Sequence, residues 1–246
     1  MFVRKVSVQV ASLALLALAG VAQAAPITVG GAYDVSDQTG GVYGPNGHYA
    51  GVSFTLDGGT ASVRTVNATA GVFSMDYRSD GGSEAWTGFL SFCLQPNVWL
   101  MPFGDSYIAR ETGDVGYDTA RISELWGRFY GQIANPTNGQ ANGVNAAAFQ
   151  VALWELSYGN RDRNLATGSF QMTSAGAIGT VAQAWLNVLD GTGPMANNLL
   201  VLVDVRDRGQ ADVQDLVTQV PEPATLGLLG LGLAGMSVRR KRAAAK

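Results

Sequence analysis

The chain has 246 residues, of which 47% are hydrophobic and 14% charged, and its formal net charge is −3. Residues 25–220 alone carry nine Arg, no Lys and eighteen Asp and Glu, which is a net charge of −9. A segment of this length suits one packed domain with room for an insertion. Its acidity disfavours nucleic acid and anionic lipid as partners, so we expect no nucleic-acid function.

The N-terminal end has the pattern of a secretory signal peptide. Two basic residues precede an apolar stretch over residues 6–21, and residues 22–24 read Ala-Gln-Ala, an A-x-A cleavage site. We predict a cleavable signal peptide over residues 1–24 and an exported domain over residues 25–219.

The first half of this domain is predicted to consist of short antiparallel strands. Val52, Phe54 and Leu56 alternate with polar residues, as expected for a half-buried strand. Gly-rich segments at 57–59 and 80–82 predict turns. The candidate strands cover residues 51–56, 61–66, 72–77, 85–94 and 106–109. The pattern favours a β-sandwich or a barrel.

Three helices are predicted between about residues 117 and 190, where the apolar period changes from two to about 3.6. Asp118 or Thr119 is the expected N-cap of the first helix. The second covers about 145–158 and the third about 175–189. Strands are expected to return at 198–205 and 213–218. The sequence therefore predicts an α+β fold, with a three-helix subdomain packed on a β core.

The C-terminal residues 220–246 combine a short motif, an apolar run and a basic end. The apolar run, 224–238, has fifteen uncharged residues, which is short for a bilayer span but workable if the residues before it lie in the interface. The basic residues after it should stay cytoplasmic. We therefore predict a single transmembrane helix here. The motif is Pro221, Glu222 and Pro223, and the basic stop is Arg239, Arg240, Lys241 and Arg242.

This tail resembles the PEP-CTERM sorting signal of Gram-negative bacteria. The resemblance implies processing by an exosortase-type enzyme and transient anchoring in the inner membrane. It also implies a final location at the cell surface or in the extracellular matrix, where an association with exopolysaccharide and biofilm is expected.

Two residues stand out as candidates for chemistry. Cys93 is the single cysteine of the chain, so it cannot form an intramolecular disulfide. Gln150 shares a helix face with Ala147 and Trp154, which places a neutral amide in an apolar stripe. An unsatisfied buried amide costs on the order of 1 to 3 kcal/mol. Gln150 therefore needs a partner, and a backbone carbonyl or an Asn side chain would also serve.

The segments Phe92-Cys93-Leu94 and Phe149-Gln150-Val151-Ala152-Leu153-Trp154 resemble the motifs of the thioester domains of bacterial surface adhesins. That resemblance implies that the sulfur of Cys93 attacks the carboxamide of Gln150, releases ammonia and leaves a buried thioester. It also implies covalent adhesion to an extracellular protein or polysaccharide that bears an amine or a hydroxyl. The candidate wall of a dry pocket is Trp99, Tyr130, Phe149 and Trp154. The absence of Lys from residues 25–220 suits a stored electrophile.

Other functions have weaker support. A cysteine hydrolase would need Cys93 beside His48, the single His of the chain. Asp34, Asp37 and Asp80 could hold Ca²⁺, although acidic turns are usually only solvated. We expect no enzyme activity, no cofactor and no metal site. The alternative to the thioester is a passive structural or exopolysaccharide-associated surface protein in which Cys93 is a small buried hydrophobe.

Overall fold

The computed structural model describes residues 26–37, 43, 48–98, 100, 105–134, 141–158, 161–174, 176–205 and 213–220. The predicted signal peptide, the Pro-Glu-Pro motif, the transmembrane helix, the basic stop and Trp99 lie outside these residues. Within them, no helix has both the length and the apolar character needed to cross a bilayer.

The strands of the described residues form two separate sheets. The strands are β1 (Ala32–Ser36), β2 (Tyr49–Leu56), β3 (Arg64–Gly71), β4 (Phe73–Ser79), β5 (Thr87–Cys93), β6 (Asp105–Glu111), β7 (Phe170–Met172), β8 (Leu199–Asp204) and β9 (Leu216–Gln219). Among the described residues, six of these close an antiparallel barrel in the order β1-β4-β5-β9-β8-β6. The other three form a small sheet in the order β3-β2-β7. The predicted antiparallel β core is confirmed, with the barrel as its form.

The helices lie between the two halves of the barrel sequence, as predicted. They are α1 (Thr119–Phe129), α2 (Gly131–Ala134), α3 (Ala141–Ser157) and α4 (Gly176–Leu186), and a 3₁₀ turn covers Thr112–Val115. Asp118 is the N-cap of α1, since its carboxylate accepts a hydrogen bond from the backbone N–H of Arg121 at 3.2 Å. The first predicted helix is therefore correct at its start, but it is interrupted at Tyr130, which separates α1 from α2.

Three features of the strands differ from the sequence prediction. β1 and β7 were not predicted, because one carries polar Asp34 and Ser36 and the other has only three residues. The predicted strand 61–66 begins later, at Arg64. The reason is a turn in which the backbone N–H of Thr60 donates to the carbonyl of Asp57 at 3.1 Å. Asp57 itself adopts a positive φ of 57°.

Helix α3 forms the centre of the molecule. It packs on β2 and β3 on one side and on α4 on another, and it also reaches β5. Side chains from Ala146 to Leu156 are almost completely buried all around the helix, including Gln150 and Glu155 at 1% exposure each. The expectation of a single apolar face was therefore too narrow. This position brings α3 against the end of the barrel strand that carries Cys93.

Candidate functional site

Cys93 ends strand β5, beyond the last residue of β5 that pairs with β4. On one side, β5 pairs with β9, with Cys93 opposite Leu216. On the other side, the pairing of β4 with β5 ends at Phe73, which lies opposite Ser91. Successive residues of a strand direct their N–H and C=O groups to alternate sides. Since Leu94 donates its N–H to Asp215 on the β9 side, the backbone groups of Cys93 face the side on which β4 has no residue left to pair.

The side chain of Gln150 takes this vacant pairing position. Its Oε1 accepts a hydrogen bond from the backbone N–H of Cys93 at 2.9 Å, and its Nε2 donates to the backbone carbonyl of Cys93 at 2.6 Å. A side-chain amide can do both because it carries a donor and an acceptor, as a peptide group does. The two predicted site residues, 57 positions apart in sequence, thus meet in a fully buried contact.

The sulfur of Cys93 lies in an apolar surrounding with one strong donor. The indole Nε1–H of Trp154 donates to Sγ at 3.1 Å, and the thiol lies 3.5 Å from the carbonyl oxygen of Gln95. The ring of Trp154 packs on Phe54 and Phe170, with centroid distances of 5.2 and 6.1 Å. Burial raises the pKa of Cys93 to about 12, and the hydrogen bond from Trp154 offsets part of this rise. The free thiol is therefore protonated at neutral pH.

The predicted wall residues divide between two faces of β5. Trp154 contacts the sulfur directly. Phe149 and Tyr130 surround the ring of Phe92, with centroid distances of 4.8 and 6.4 Å, and the side chain of Phe92 points to the opposite face of the strand from Cys93. Trp154 in turn packs on Phe54 and Phe170, which the sequence analysis did not identify.

A polar shell that the sequence analysis missed fixes the segment after Cys93. The hydroxyl of Ser157 lies 2.5 Å from the carbonyl oxygen of Leu94. The side chain of Gln95 accepts the backbone N–H of Asp215 at 2.7 Å. Asp215 in turn accepts a hydrogen bond from the hydroxyl of Tyr117 at 2.8 Å. Ser157, Tyr117 and Asp215 come from three parts of the chain distant from Cys93, and no local pattern marks them.

The weaker candidates gain no support. The hydrogen-bond partners found for the Cys93 sulfur are Trp154 and Gln95, and neither an indole N–H nor a backbone carbonyl serves as a catalytic base. The carboxylate of Asp34 accepts a hydrogen bond from the guanidinium of Arg78 at 3.1 Å. The carboxylate of Asp80 accepts one from the hydroxyl of Ser106 at 2.8 Å. In the described ranges, no three His, Cys, Asp or Glu side chains come together as a metal site would require.

Residues 219–242 match the family model of the PEP-CTERM protein-sorting motif. The chain carries a PEP-CTERM sorting signal. This signal indicates an exosortase-dependent surface protein that is exported and anchored in the membrane before its release to the surface. The match covers the Pro-Glu-Pro motif and the basic stop, so the predicted sorting signal is confirmed, and the transmembrane helix predicted for the same segment stays a prediction.

The comparison with solved structures gives only a weak similarity for the described domain. Among solved structures, the N-terminal thioester domain of the fibronectin-binding protein SfbI from Streptococcus pyogenes is similar, with 12% identity and a TM-score of 0.39. The similarity covers 75% of this chain and 100% of that chain. A TM-score this low does not establish a shared fold. No curated protein is significantly similar to the chain in sequence.

Proposed function

We propose that this surface protein attaches covalently to a partner through an internal thioester between Cys93 and Gln150. One observation carries the proposal. The carboxamide of Gln150 is held by two hydrogen bonds to the backbone of the residue whose sulfur would attack it, and both side chains are at most 1% exposed.

The groups around Gln150 suit formation of the bond. In this step Sγ of Cys93 bonds to Cδ of Gln150, the S–H and C–N bonds break, and the thiol proton leaves with the nitrogen as ammonia. The backbone N–H of Cys93 already donates to Oε1, where negative charge develops during the attack. The carbonyl of Cys93 accepts from the nitrogen that would leave.

The same surroundings suit storage of the bond. A thioester survives when water is excluded, and the apolar rings of Phe54, Trp154 and Phe170 exclude it on the sulfur side. The absence of Lys from residues 25–220 removes the ε-amines that would react with the bond within the domain. An arriving amine or hydroxyl then takes the acyl group of Gln150 and returns Cys93 to a thiol. Each molecule reacts once, so the protein is a binding protein and not an enzyme, and it needs no cofactor.

The proposed partner is an extracellular protein or polysaccharide that presents an amine or a hydroxyl. The excess of acidic residues in the domain favours a neutral or basic partner over an anionic one. The partner would be met at the cell surface, to which the sorting signal directs the protein, or in the surrounding matrix.

One observation favours a second candidate, a passive structural or exopolysaccharide-associated surface protein. The amide of Gln150 satisfies the backbone of Cys93 at the end of β5 without any covalent bond. A role in fold stability alone would also explain a buried Gln at this position.

Mass measurement separates the two candidates. We expect the exported full chain, recovered in the native state, to lack the mass of one ammonia, and Cys93→Ala or Gln150→Ala to restore it. After incubation with methylamine, the tryptic peptide 129–161 should carry the methylamide at Gln150, and the thiol of peptide 79–110 should become free for alkylation. Full mass in the wild type, together with a Gln150 that methylamine does not modify, would leave the passive protein as the function.

A further inference from the structure

We propose that Asp215, positioned by Tyr117, takes the proton from the nucleophile that opens the thioester. This inference rests on the proposed Cys93–Gln150 bond and assigns a role to residues outside that pair. Opening the bond requires a proton acceptor, because an attacking amine or hydroxyl must lose a proton as it forms its new bond. Among the described residues, the hydrogen-bond partners of the sulfur are an indole N–H and a backbone carbonyl, which do not take up protons.

The backbone holds Asp215 next to the segment that follows Cys93. Its carbonyl accepts the N–H of Leu94 at 3.0 Å, and its own N–H donates to the side chain of Gln95 at 2.7 Å. The partners in these two contacts, Leu94 and Gln95, directly follow Cys93. The backbone of Asp215 is therefore held next to the segment after Cys93 by two hydrogen bonds.

Tyr117 links the carboxylate of Asp215 to a partly exposed part of the domain. The hydroxyl of Tyr117 donates to Oδ2 of Asp215 at 2.8 Å. Tyr117 is half-buried just before α1, whereas Asp215 is 8% exposed. Cys93 is 0% exposed, so a nucleophile from solvent can reach the thioester only by passing a side chain that is partly exposed. The edge of Tyr117 offers such an entry.

Electrostatics assign the proton acceptor within the pair. Burial raises the pKa of Tyr117, and the charge and hydrogen bond of Asp215 raise it further, so the phenol remains a donor at neutral pH. Arg161, whose guanidinium donates to the carbonyl of Gly116 at 3.0 Å, lowers the pKa of Tyr117 only in part. The acceptor is therefore the carboxylate. Its charge also acts on Cys93, where it raises the pKa of the thiol.

The proposed step balances without a further reactant. The nitrogen or oxygen of the nucleophile bonds to Cδ of Gln150, its proton passes to the carboxylate of Asp215, and the C–S bond breaks. The proton then moves from Asp215 to the departing sulfur. The products are an amide or ester at Gln150, a neutral thiol at Cys93 and the original carboxylate. A pKa of about 12 for the thiol means that the sulfur readily keeps this proton.

The test compares wild-type full chain with Asp215→Asn, which retains an oxygen for the hydroxyl of Tyr117 but cannot take a proton. Intact mass first measures the fraction of each protein that has lost ammonia. The rate of methylamine addition is then measured across pH and corrected for the fraction of free amine. Asp114→Asn is the matched control, because Asp114 is exposed in the 3₁₀ turn near Tyr117 and its loss changes the net charge equally.

We expect ammonia loss in all three proteins, with the methylamine rate of Asp215→Asn lower by roughly 10²-fold and that of Asp114→Asn unchanged. The fall of the wild-type rate at low pH should disappear in Asp215→Asn, and formate should restore part of the rate in Asp215→Ala. Equal rates in Asp215→Asn and the wild type overturn the inference. So does a folded Asp215→Asn that never loses ammonia, since Asp215 would then act in bond formation. Absence of ammonia loss in the wild type contradicts the thioester itself.

Discussion

Gln150 and Glu155 lie five residues apart on α3, have nearly the same shape and are each 1% exposed, but the protein accommodates them in different ways. Gln150 faces the end of β5, where it exchanges two hydrogen bonds with the backbone of Cys93. Glu155 faces the loop after α3, where its Oε1 accepts the backbone N–H of Arg163 at 2.8 Å. Its carboxyl also lies beside that of Asp162.

The difference between the two positions is one of charge. An amide is neutral, so its burial requires only that its donor and acceptor are both satisfied. A carboxyl must also keep its proton or find a cation. Burial raises the pKa of Glu155 to about 8, and the hydrogen bond and charge of Asp162 contribute to the rise. The protonation state at Gln150 therefore does not change with pH, whereas the carboxyl of Glu155 titrates near neutrality.

The largest expected effect comes from replacing the amide of Gln150 with a carboxyl group like that of Glu155. Gln150→Glu replaces the donor that faces the carbonyl of Cys93 with an oxygen, and the ionised form brings two acceptors together in a buried site. We expect the free energy of unfolding at pH 7 to fall by about 3 kcal/mol or more, as for a buried charge without a partner. Thioester formation should also stop. Urea denaturation measures the first effect and intact mass the second.

The loss of stability in Gln150→Glu should depend on pH. Burial raises the pKa of the new carboxyl in the folded state, so the stability of the variant is preserved at low pH and is lost as pH rises through that pKa. Gln132→Glu makes the same change at an exposed position of α2 and should have little effect. A uniform loss of stability at every pH would show that shape and not charge makes the amide necessary.

The reverse change, Glu155→Gln, should remove a pH dependence that the wild type has. The folded-state pKa of about 8 lies above the ordinary value of 4.5. Stability from the buried neutral form is therefore fully present below pH 4.5 and declines towards pH 8, by up to about 1.4 kcal/mol per pH unit. Unfolding free energies measured across this range should fall more steeply for the wild type than for Glu155→Gln.

Glu111→Gln is the control for this prediction, since Glu111 is exposed at the end of β6. Its pH profile should follow that of the wild type. If Glu155→Gln also follows the wild-type profile, Glu155 is ionised in the folded protein at neutral pH and the contrast with Gln150 fails.

Trp154→Phe tests the side-chain hydrogen bond to the sulfur. The substitution removes the indole N–H and part of the ring that packs on Phe54 and Phe170. We expect a loss of about 2 kcal/mol in unfolding free energy from the hydrogen bond and the packing together. The thiol of Cys93 in a Gln150→Ala background should also become less acidic, which a pH series of alkylation rates would detect.

The matched substitution Trp86→Phe changes a ring that lies under the guanidinium of Arg78 at 4.5 Å, away from the sulfur. It should leave the alkylation profile unchanged. An unchanged profile in Trp154→Phe as well would mean that the indole has no influence on the sulfur.

The smallest expected effect is that of Ser157→Ala, at the end of α3. The Ser157 hydroxyl lies within hydrogen-bond distance of the carbonyls of Leu94 and Leu153, and it connects the helix to the segment after Cys93. Its loss should lower the unfolding free energy by about 1 kcal/mol. Denaturant titration would show this, with thioester formation retained. A loss of the bond in a folded Ser157→Ala would assign this hydroxyl a larger role in aligning α3 with the segment after Cys93.

Much of the fold follows from local pattern. The alternation in β2, the turn at residues 80–82 and the N-cap of α1 were all predicted from adjacent residues, and the structure contains them. β1 and β7 were missed because a strand that closes a barrel or edges a small sheet needs no strong pattern of its own. β1 is stabilised as a strand by its pairing with both β4 and β6, which its polar sequence does not indicate.

The residues of the candidate site were likewise predicted only in part. Cys93 and Gln150 were identified from residue type and from motif resemblance, and the structure brings them into contact. Ser157, Tyr117 and Asp215 were not identified, since each is an ordinary polar residue far from Cys93 in sequence. Their significance depends on a pairing register between β5 and β9 that no local rule supplies.

The sequence by itself determined where this protein goes, because a sorting signal is a contiguous stretch that needs no folded neighbours to be recognised. It also determined which two side chains were unusual for their surroundings. Only the tertiary structure decided that β4 begins too late to pair with Cys93, so that the amide of Gln150 completes the sheet. The physical reason is that a buried polar group is defined by its partners, and here those partners come from elements more than fifty residues apart.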